Sequence, residues 1–329
     1  VEGLCEALDT LATRLEAAAR SGHTEGPGFS GPRPTPRVGL LFPGQGSQAI
    51  GMAGALVERY PWARARLEEA DRAASAFDAF VSDPLSAFVL RPTWRDPAQA
   101  ALEAWTVALT DTRVAQPAIA LASALWWEHL TRLGVRADVV AGHSLGELVA
   151  LFASGAYDLT TLVRLAALRG QAMAAPAERP GGMAALLAGL DVTQSLLVGT
   201  QVVPANLNAP DQTVVSGPAD EVQAVLEAAA ARGIQGRALR VSNAFHSPLV
   251  AAAATTLRAH DGVPRAALAR TAVPLSGVDG APVPEDADLR ERIAAAITLP
   301  VDFVRLAHGV AARAELLLEV GPGQVLSRL

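Results

Sequence analysis

The feature that most restricts the fold of this 329-residue chain is the pentapeptide GHSLG at 142–146, which fits the pattern G-x-S-x-G. An apolar run at 139–141 precedes it, and a helical pattern at 146–154 follows it. In that setting the two glycines permit a tight turn from strand to helix, which exposes the Ser144 hydroxyl near the helix N-terminus. We therefore expect an α/β layer with Ser144 as a nucleophile. A chance match in a chain rich in alanine and glycine is the alternative.

Strand-like and helical segments alternate around this motif. The apolar run 38–42 stops at a Pro-Gly-Gln-Gly loop, 43–46, as a buried strand does. Alternation of this kind predicts a parallel sheet covered by helices. Helical patterns appear at 49–60, 62–76, 116–133 and 146–154.

The order of elements changes between 181 and 245. An apolar run, a helix, two strands, a helix and a last strand give the order βαββαβ of a ferredoxin-like unit. We predict an α/β-hydrolase-like large subdomain with a parallel sheet, formed by 38–180 and 246–329, and an inserted ferredoxin-like small subdomain, 181–245. The cleft between the two is the expected site, because small molecules bind in such clefts.

The first 37 residues have a different pattern. Leucines at helical spacing between 4 and 20, followed by a stretch rich in glycine and proline, predict an N-terminal helix and a linker over 1–37. The chain begins with Val1 and has no charged-then-apolar leader. We expect a piece of a longer polypeptide without a secretion signal.

Composition excludes several classes of function. All 27 basic residues are arginine, so a lysine Schiff base and a Walker-type nucleotide loop are excluded. Cys5 is the only cysteine, which rules out an intrachain disulfide and a cysteine-rich zinc site. We expect no metal and a reducing, cytoplasmic setting. The net charge of -6 argues against nucleic acid as the main partner, and no uninterrupted apolar run indicates a membrane span.

A serine nucleophile needs a base, normally a histidine within hydrogen-bonding reach. Of the six histidines, His246 is the candidate. It lies in NAFHSP, 243–248, where the inserted unit returns to the large subdomain and can face the cleft. A purely structural His246 is the alternative.

Two further groups suit acyl transfer. Backbone N–H groups of the loop 42–48 and of Leu145 can form an oxyanion hole, because the glycines let amides point inward. Arg169 lies on the apolar side of a predicted helix, and a guanidinium in a cleft can pair with a carboxylate through two hydrogen bonds. A structural ion pair with one of the 33 acidic residues is the alternative for Arg169.

Taken in order, these segments resemble the malonyl-CoA:acyl carrier protein transacylase family, and specifically the acyltransferase domains of type I polyketide synthases. The resemblance covers about residues 38–329. The motifs that carry it are LFPGQGSQ (41–48), GHSLGE (142–147), Arg169 within LRGQAM, GGMAAL (181–186), NAPDQTVVSG (208–217), NAFHSP (243–248) and LEVGPGQVL (318–326).

The resemblance implies a mechanism and its partners. Ser144 is acylated with His246 as its base, the backbone amides of Gln45 and Leu145 form the oxyanion hole, and Arg169 holds the free carboxylate of the extender unit. The implied substrate is malonyl-CoA, with no permanently bound cofactor. The implied acceptor is the phosphopantetheine thiol of an acyl carrier protein, with a ketosynthase as a neighbouring domain of the parent chain.

The resemblance also bears on specificity. Phe245 before the histidine, and Leu145 in place of glutamine, resemble malonyl-selective domains, with Phe245 as the gate against a methyl branch. Asn243 departs from the usual histidine or tyrosine, and together with Asn208 it completes the candidate substrate-binding set. By position, the backbone carbonyl of Asp302 is expected to orient the imidazole. The tryptophan and arginine usual before that segment are missing, which points toward iterative synthases such as the enediyne type.

Two other functions remain open from the residues. An α/β-hydrolase-type esterase or thioesterase shares the strand–serine–helix turn at 142–146, which is called the nucleophile elbow. That reading also predicts an HGGG-type loop and an acid as the third member of the triad. The sequence shows no such loop, and Arg169 would have no role. An inactive docking module of a synthase is the other reading, which the presence of nucleophile, base and arginine disfavours.

Overall fold

Nine strands are present in the part of the chain that the computed structural model describes, residues 35–90, 99–176 and 179–329. Most of the predicted N-terminal helix and linker, 1–37, lies outside the described residues. The strands are β1 (Val38–Phe42), β2 (Val139–Gly142), β3 (Gly181–Leu186), β4 (Val203–Ala209), β5 (Gln212–Pro218), β6 (Gly236–Ala238), β7 (Val273–Pro274), β8 (Val301–Asp302) and β9 (Leu316–Glu319).

The helices cover and connect two sheets. No helix within the described ranges is both long and apolar enough to cross a bilayer. The helices are α1 (Gly54–Arg59), α2 (Pro61–Ala74), α3 (Leu85–Leu90), α4 (Gln99–Thr110), α5 (Thr112–Arg132), α6 (Gly146–Ala153), α7 (Leu159–Ala174), α8 (Leu190–Leu196), α9 (Ala219–Ala231), α10 (Ala251–Ala259), α11 (Leu289–Ala295) and α12 (Phe303–Ala311).

The first sheet has the order β7-β2-β1-β9, and all its pairs are parallel. Every residue of β1 and β2 is buried, as expected for parallel strands covered on both faces. In the β1–β2 register, Phe42 lies opposite Gly142. Both strands therefore end at the same edge of the sheet, which brings the loop after β1 beside the turn after β2.

The second sheet has the order β6-β3-β5-β4-β8. The first four strands are antiparallel and come from the segment βαββαβ, so their order is that of a ferredoxin-like unit. The two-residue strand β8 comes from the large subdomain and pairs in parallel with β4. The predicted fold class, a parallel α/β sheet with an inserted ferredoxin-like unit, is confirmed. The exact boundaries at 181 and 245 stay a proposal, because residues 37–329 form one compact unit.

Helix α5 begins earlier than the predicted 116–133. Asp111 caps it by accepting a hydrogen bond from the Arg113 N–H, and Pro117 lies inside the helix. Pro117 lacks an N–H, so only one helical hydrogen bond is lost near the N-terminal end. The first two thirds of α5 are buried, and this helix packs closely against α7.

Candidate active site

The turn between β2 and α6 holds Ser144 in a conformation that few residues adopt. Its φ is 52°, in the left-handed region. A Cβ at Gly142 would lie 2.0 Å from the backbone of Gly146, and a Cβ at Gly146 would lie 2.0 Å from the Phe42 carbonyl oxygen. Only glycine fits at either position. The two glycines thus allow the close backbone approach that presents the serine hydroxyl above the sheet.

Ser144 and His246 form a hydrogen-bonded pair. The distance between Ser144 Oγ and His246 Nε2 is 2.8 Å, and His246 Nδ1 lies 2.9 Å from the backbone oxygen of Leu299. A carbonyl oxygen only accepts, so Nδ1 carries the proton and Nε2 is free to accept the serine proton. The His246 backbone N–H also donates to the Ile297 oxygen at 3.1 Å. The imidazole is therefore oriented as a base toward Ser144.

The environment keeps this imidazole neutral. Burial, together with the positive charge of Arg169, lowers the pKa of His246 to about 3, although the hydrogen bond to the Leu299 carbonyl acts in the opposite direction. A histidine with so low a pKa carries no proton on Nε2 at neutral pH. It is available to accept one from the serine.

Arg169 reaches the same hydroxyl from α7. Its guanidinium donates to Ser144 Oγ at 3.1 Å and to Gln116 Oε1 at 2.9 Å. Both of these partners are neutral, so the expected alternative of a structural ion pair is not what the described residues show. Burial lowers the pKa of Arg169 to about 10, and the carboxylate of Glu147 opposes that shift. Arg169 remains a buried cation beside the Ser144 hydroxyl at neutral pH.

Two backbone amides lie where an oxyanion would form. Among the described residues, neither Gln45 nor Leu145 has a hydrogen-bond partner for its backbone N–H. A Cβ at Gly44 would lie 2.5 Å from the His143 carbonyl oxygen, so the loop after β1 packs directly on the elbow. The Gln45 side chain anchors that loop by donating to Thr112 Oγ1 at 3.1 Å.

A cavity of about 300 Å³ opens onto the pair. Ser144, His246 and Gln45 form its reactive end, and Phe245 contributes to its wall. Met183, Asn206, Leu239 and Val241 line the side that belongs to the small subdomain. The cavity lies between the two subdomains, as the cleft hypothesis predicts.

Comparison with known proteins assigns the family. The model of the family described as "Acyl transferase domain" matches residues 40–303. The chain belongs to this acyltransferase family. It is 35% identical over 309 residues to a malonyl CoA-acyl carrier protein transacylase of Bacillus subtilis, and the match covers 89% of each chain.

Solved structures agree with this assignment. A malonyl-CoA:acyl carrier protein transacylase from Xanthomonas oryzae superposes on the acyltransferase with a TM-score of 0.77 at 33% identity, covering 89% of this chain and 90% of the other. The acyltransferase domain of an iterative polyketide synthase in enediyne biosynthesis gives a TM-score of 0.65 at 34% identity, covering 89% of this chain and 62% of the other. The predicted family resemblance is confirmed.

The carbonyl that orients the imidazole differs from the one expected. Leu299, and not Asp302, supplies it. Asp302 instead caps α12 by accepting from the Arg305 N–H at 2.9 Å, and its own N–H donates to the Gly277 oxygen. The chain turns after α11, and this turn directs the Leu299 carbonyl toward His246. The hydrolase alternative predicts a carboxylate as the partner of His246 Nδ1, but the observed partner is the backbone carbonyl of Leu299.

Asn243 does not reach the cavity of the acyltransferase. Its Nδ2 donates to the Ala175 oxygen at 3.3 Å, and its Oδ1 accepts from the Ala244 N–H at 2.9 Å. The side chain lines a separate cavity of about 320 Å³. This corrects the expectation of a direct substrate contact. Asn243 fixes the backbone two residues before Phe245 and so acts on the position of that ring.

The Asn208 side chain, which was expected to bind substrate, contacts the nucleophile elbow and does not line the cavity. Its Oδ1 lies 2.9 Å from His143 Nε2, and its Nδ2 donates to Gln212 Oε1 at 3.2 Å. His143 also packs against Phe303, with ring centroids 5.7 Å apart, and lines the cavity. Sequence reasoning assigned no role to His143. The acyltransferase uses it to connect the elbow to β4 of the small subdomain.

Gln116 is a second residue that sequence reasoning missed. It is fully buried on α5, accepts from Arg169 and lies 3.5 Å from Gln45 Oε1 through its Nε2. It therefore connects the arginine with the loop that carries the Gln45 amide. The available signal was a polar side chain in an otherwise apolar helical stretch, since buried amides are retained where they are hydrogen-bonded.

Proposed function

We propose that this acyltransferase moves a malonyl unit from malonyl-CoA to the phosphopantetheine thiol of an acyl carrier protein, through an ester on Ser144. One observation carries the proposal. A single hydroxyl contacts both a neutral imidazole and a buried guanidinium whose other partner is neutral. The first group suits acyl transfer, and the second suits an acyl group with a free carboxylate.

In the first half-reaction, Ser144 Oγ attacks the thioester carbonyl while its proton passes to His246 Nε2. The oxyanion accepts hydrogen bonds from the N–H groups of Gln45 and Leu145, and the helix N-terminus of α6 adds a favourable field. The carbon–sulfur bond then breaks, and His246 returns the proton to the coenzyme A thiolate. The malonyl group remains as an ester on the serine.

The second half-reaction repeats these steps in the opposite sense. The phosphopantetheine thiol gives its proton to His246 and attacks the ester carbonyl, and the serine leaves with that proton. Because coenzyme A departs before the carrier protein reacts, the kinetics are of the ping-pong type. The partly buried position of the pair limits access of water to the ester in the interval.

Selectivity for the acyl group is assigned to two side chains. Arg169 leaves the serine hydroxyl and pairs with the malonyl carboxylate, which favours malonyl over acetyl groups. Phe245 narrows the cavity against the α-methyl branch of methylmalonyl. A single methyl group changes binding by only about 1–3 kcal/mol, so this second preference is the weaker one.

The proposed setting is a polyketide synthase in the cytoplasm. The partners would be an acyl carrier protein and a neighbouring ketosynthase in a longer parent chain, with no permanently bound cofactor. Similarity to the acyltransferase domain of an enediyne synthase and the loss of the tryptophan and arginine before 299–302 support an iterative synthase.

Intact-mass spectrometry after brief incubation with malonyl-, methylmalonyl- or acetyl-CoA tests the proposal. We expect a malonyl-sized gain that is lost in Ser144→Ala, a smaller yield from methylmalonyl-CoA and least from acetyl-CoA. Addition of a phosphopantetheinylated carrier protein should then discharge the adduct onto its thiol. No adduct and no free coenzyme A with any of the three donors would overturn the proposed function.

A further inference from the structure

A partly buried ion pair lies behind the nucleophile elbow. Glu147 occupies the first turn of α6 with its side chain only 9% exposed. Arg292 on α11 donates from Nε to Glu147 Oε1 at 3.3 Å. Neither residue lines the cavity that holds Ser144, so this pair does not contact the substrate. The reaction as described above leaves it without a role.

The same carboxylate has a second partner. The carboxylate packs on Gly277, where a Cβ would lie 3.0 Å from Glu147 Oε2. Burial raises the pKa of Glu147, and Arg292 and the backbone N–H of Gly277 oppose that shift by favouring the carboxylate. The carbonyl oxygen of Gly277 accepts from the Asp302 N–H at 2.8 Å. Through Gly277, the carboxylate is therefore connected to residue 302 as well as to residue 292.

These two connections lie at the ends of one segment, 292–302. Between them are the carbonyl of Ile297, which accepts from the His246 backbone N–H, and the carbonyl of Leu299, which accepts from His246 Nδ1. The segment has little regular structure of its own after α11 ends at Ala295. Its two ends are held by the residue that follows the nucleophile by three positions.

We propose that Glu147 is a positioning residue for the general base, because it fixes the segment 292–302 that holds His246 in line with Ser144. The inference rests on the proposed Ser144–His246 pair. One carboxylate in the helix that follows the nucleophile thus sets the place of both reacting partners relative to each other.

The energetics favour a role in geometry over one in stability. Removing a carboxylate from water is costly, and a well-packed apolar pair in the same space is often as stable as a buried ion pair. A buried carboxylate with a charged partner instead allows few alternative arrangements of the groups around it. Proton transfer between serine and imidazole needs such precision, since a displacement of about 1 Å can cost about 10²-fold in rate.

The test compares Glu147→Gln and Arg292→Gln with Glu291→Gln. Glu291 lies on the same helix, α11, but its partner is the exposed Arg258, at 2.6 Å. Phenylmethylsulfonyl fluoride is the probe, because it reports on serine activation without a carboxylate. The Ser144 Oγ–S bond forms, the S–F bond breaks, fluoride leaves and His246 takes the proton. Malonyl-CoA loading, with kcat and KM, is measured in parallel.

We expect Glu147→Gln and Arg292→Gln to lower the sulfonylation rate and the malonyl kcat about 10–100-fold, with KM within about threefold of wild type. Arg292→Lys should recover most of the rate, and Glu291→Gln should stay within about twofold, because exposed pairs contribute little. A purely structural role would lower the melting temperature without this split between kcat and KM.

A folded Glu147→Gln protein that is sulfonylated at the wild-type rate would overturn the proposal. If Glu147→Gln does not fold, the variant of the partly exposed Arg292 provides the test. A wild-type sulfonylation rate in Arg292→Gln would overturn the proposal in the same way. A wild-type protein that sulfonyl fluoride labels but malonyl-CoA does not load would overturn the proposed function while leaving this comparison valid.

Discussion

Ser144 and His246 form a hydrogen-bonded pair that lines the cleft, and both have a positive φ, but different contacts hold them. The serine depends on a turn of five consecutive residues, 142–146, whose two glycines allow the close backbone approach. The histidine lies in a loop after β6, and its ring and backbone are held by carbonyls of 297–299, which are distant in sequence.

The difference separates local from remote control of the same reaction. Damage to the turn should affect the nucleophile and the stability of the sheet edge together. Damage to the segment that holds the histidine should affect proton transfer while leaving the turn intact. Variants of each side can therefore be compared by rate and by stability.

The largest effect is expected from removing the base. His246→Ala should lower malonyl loading of Ser144 about 10³-fold, because the hydroxyl loses its proton acceptor. Single-turnover loading followed by mass spectrometry measures this rate, and the melting temperature provides the control for folding. A loss of less than tenfold would mean that another group accepts the serine proton.

The turn is tested by Gly146→Ala. The added methyl group would lie 2.0 Å from the Phe42 carbonyl oxygen, so we expect a loss of about 2–3 kcal/mol in unfolding free energy, with impaired loading. Gly54→Ala is the matched control, since its Cβ would meet no atom within 4 Å. Chemical denaturation of both variants gives the comparison, and equal stabilities would contradict a sterically required glycine in the turn.

A variant of Arg169 tests recognition of the malonyl carboxylate, without changing Ser144 or His246. Arg169→Met should lower malonyl loading about 10–100-fold relative to acetyl loading, because a charged hydrogen-bonding partner is lost. Arg164→Met, an exposed position of the same helix, is the control. Competition between the two donors, read by mass spectrometry, measures the ratio. An unchanged ratio would remove Arg169 from substrate selection.

The smallest expected effect concerns pH. The pKa of His246 is lowered to about 3, so its neutral form persists as pH falls from 7.5 to 5.5, and the sulfonylation rate of Ser144 should change less than about twofold. A histidine with an ordinary pKa of about 6.5 would lose most of its neutral form over that range. A tenfold fall in rate at pH 5.5 would show that burial does not hold the imidazole neutral.

The two regions also differ in how well sequence predicts them. The turn around Ser144 was predictable, because its geometry follows from five adjacent residues. The partner of His246 was assigned to Asp302, whereas Leu299 fills that role, because the turn after α11 depends on tertiary contacts. Asn243 was expected to contact the substrate, but its side chain donates to the Ala175 oxygen. The direction of a side chain in a loop does not follow from the sequence pattern of that loop.

The core elements follow a similar rule. The order of helices and strands, βαββαβ, was predictable from the alternating patterns along the chain. The parallel sheet was predictable in the same way. The short helices α3 and α11 were not predicted, because few turns give little periodicity and their burial comes from packing on neighbours. The contacts of Gln116 and His143 could not be predicted, because they depend on the packing of α5 and β4 beside the elbow.

The two-residue strand β8 gives the small subdomain a mechanical part in the chemistry. Val301 and Asp302 pair with Asn206 and Leu207 of β4, and this pairing begins two residues after Leu299. The support of the base is thus continuous with the sheet of the small subdomain. A displacement of this sheet would therefore also move the carbonyl that holds the imidazole, so that widening of the cleft and proton transfer would be coupled.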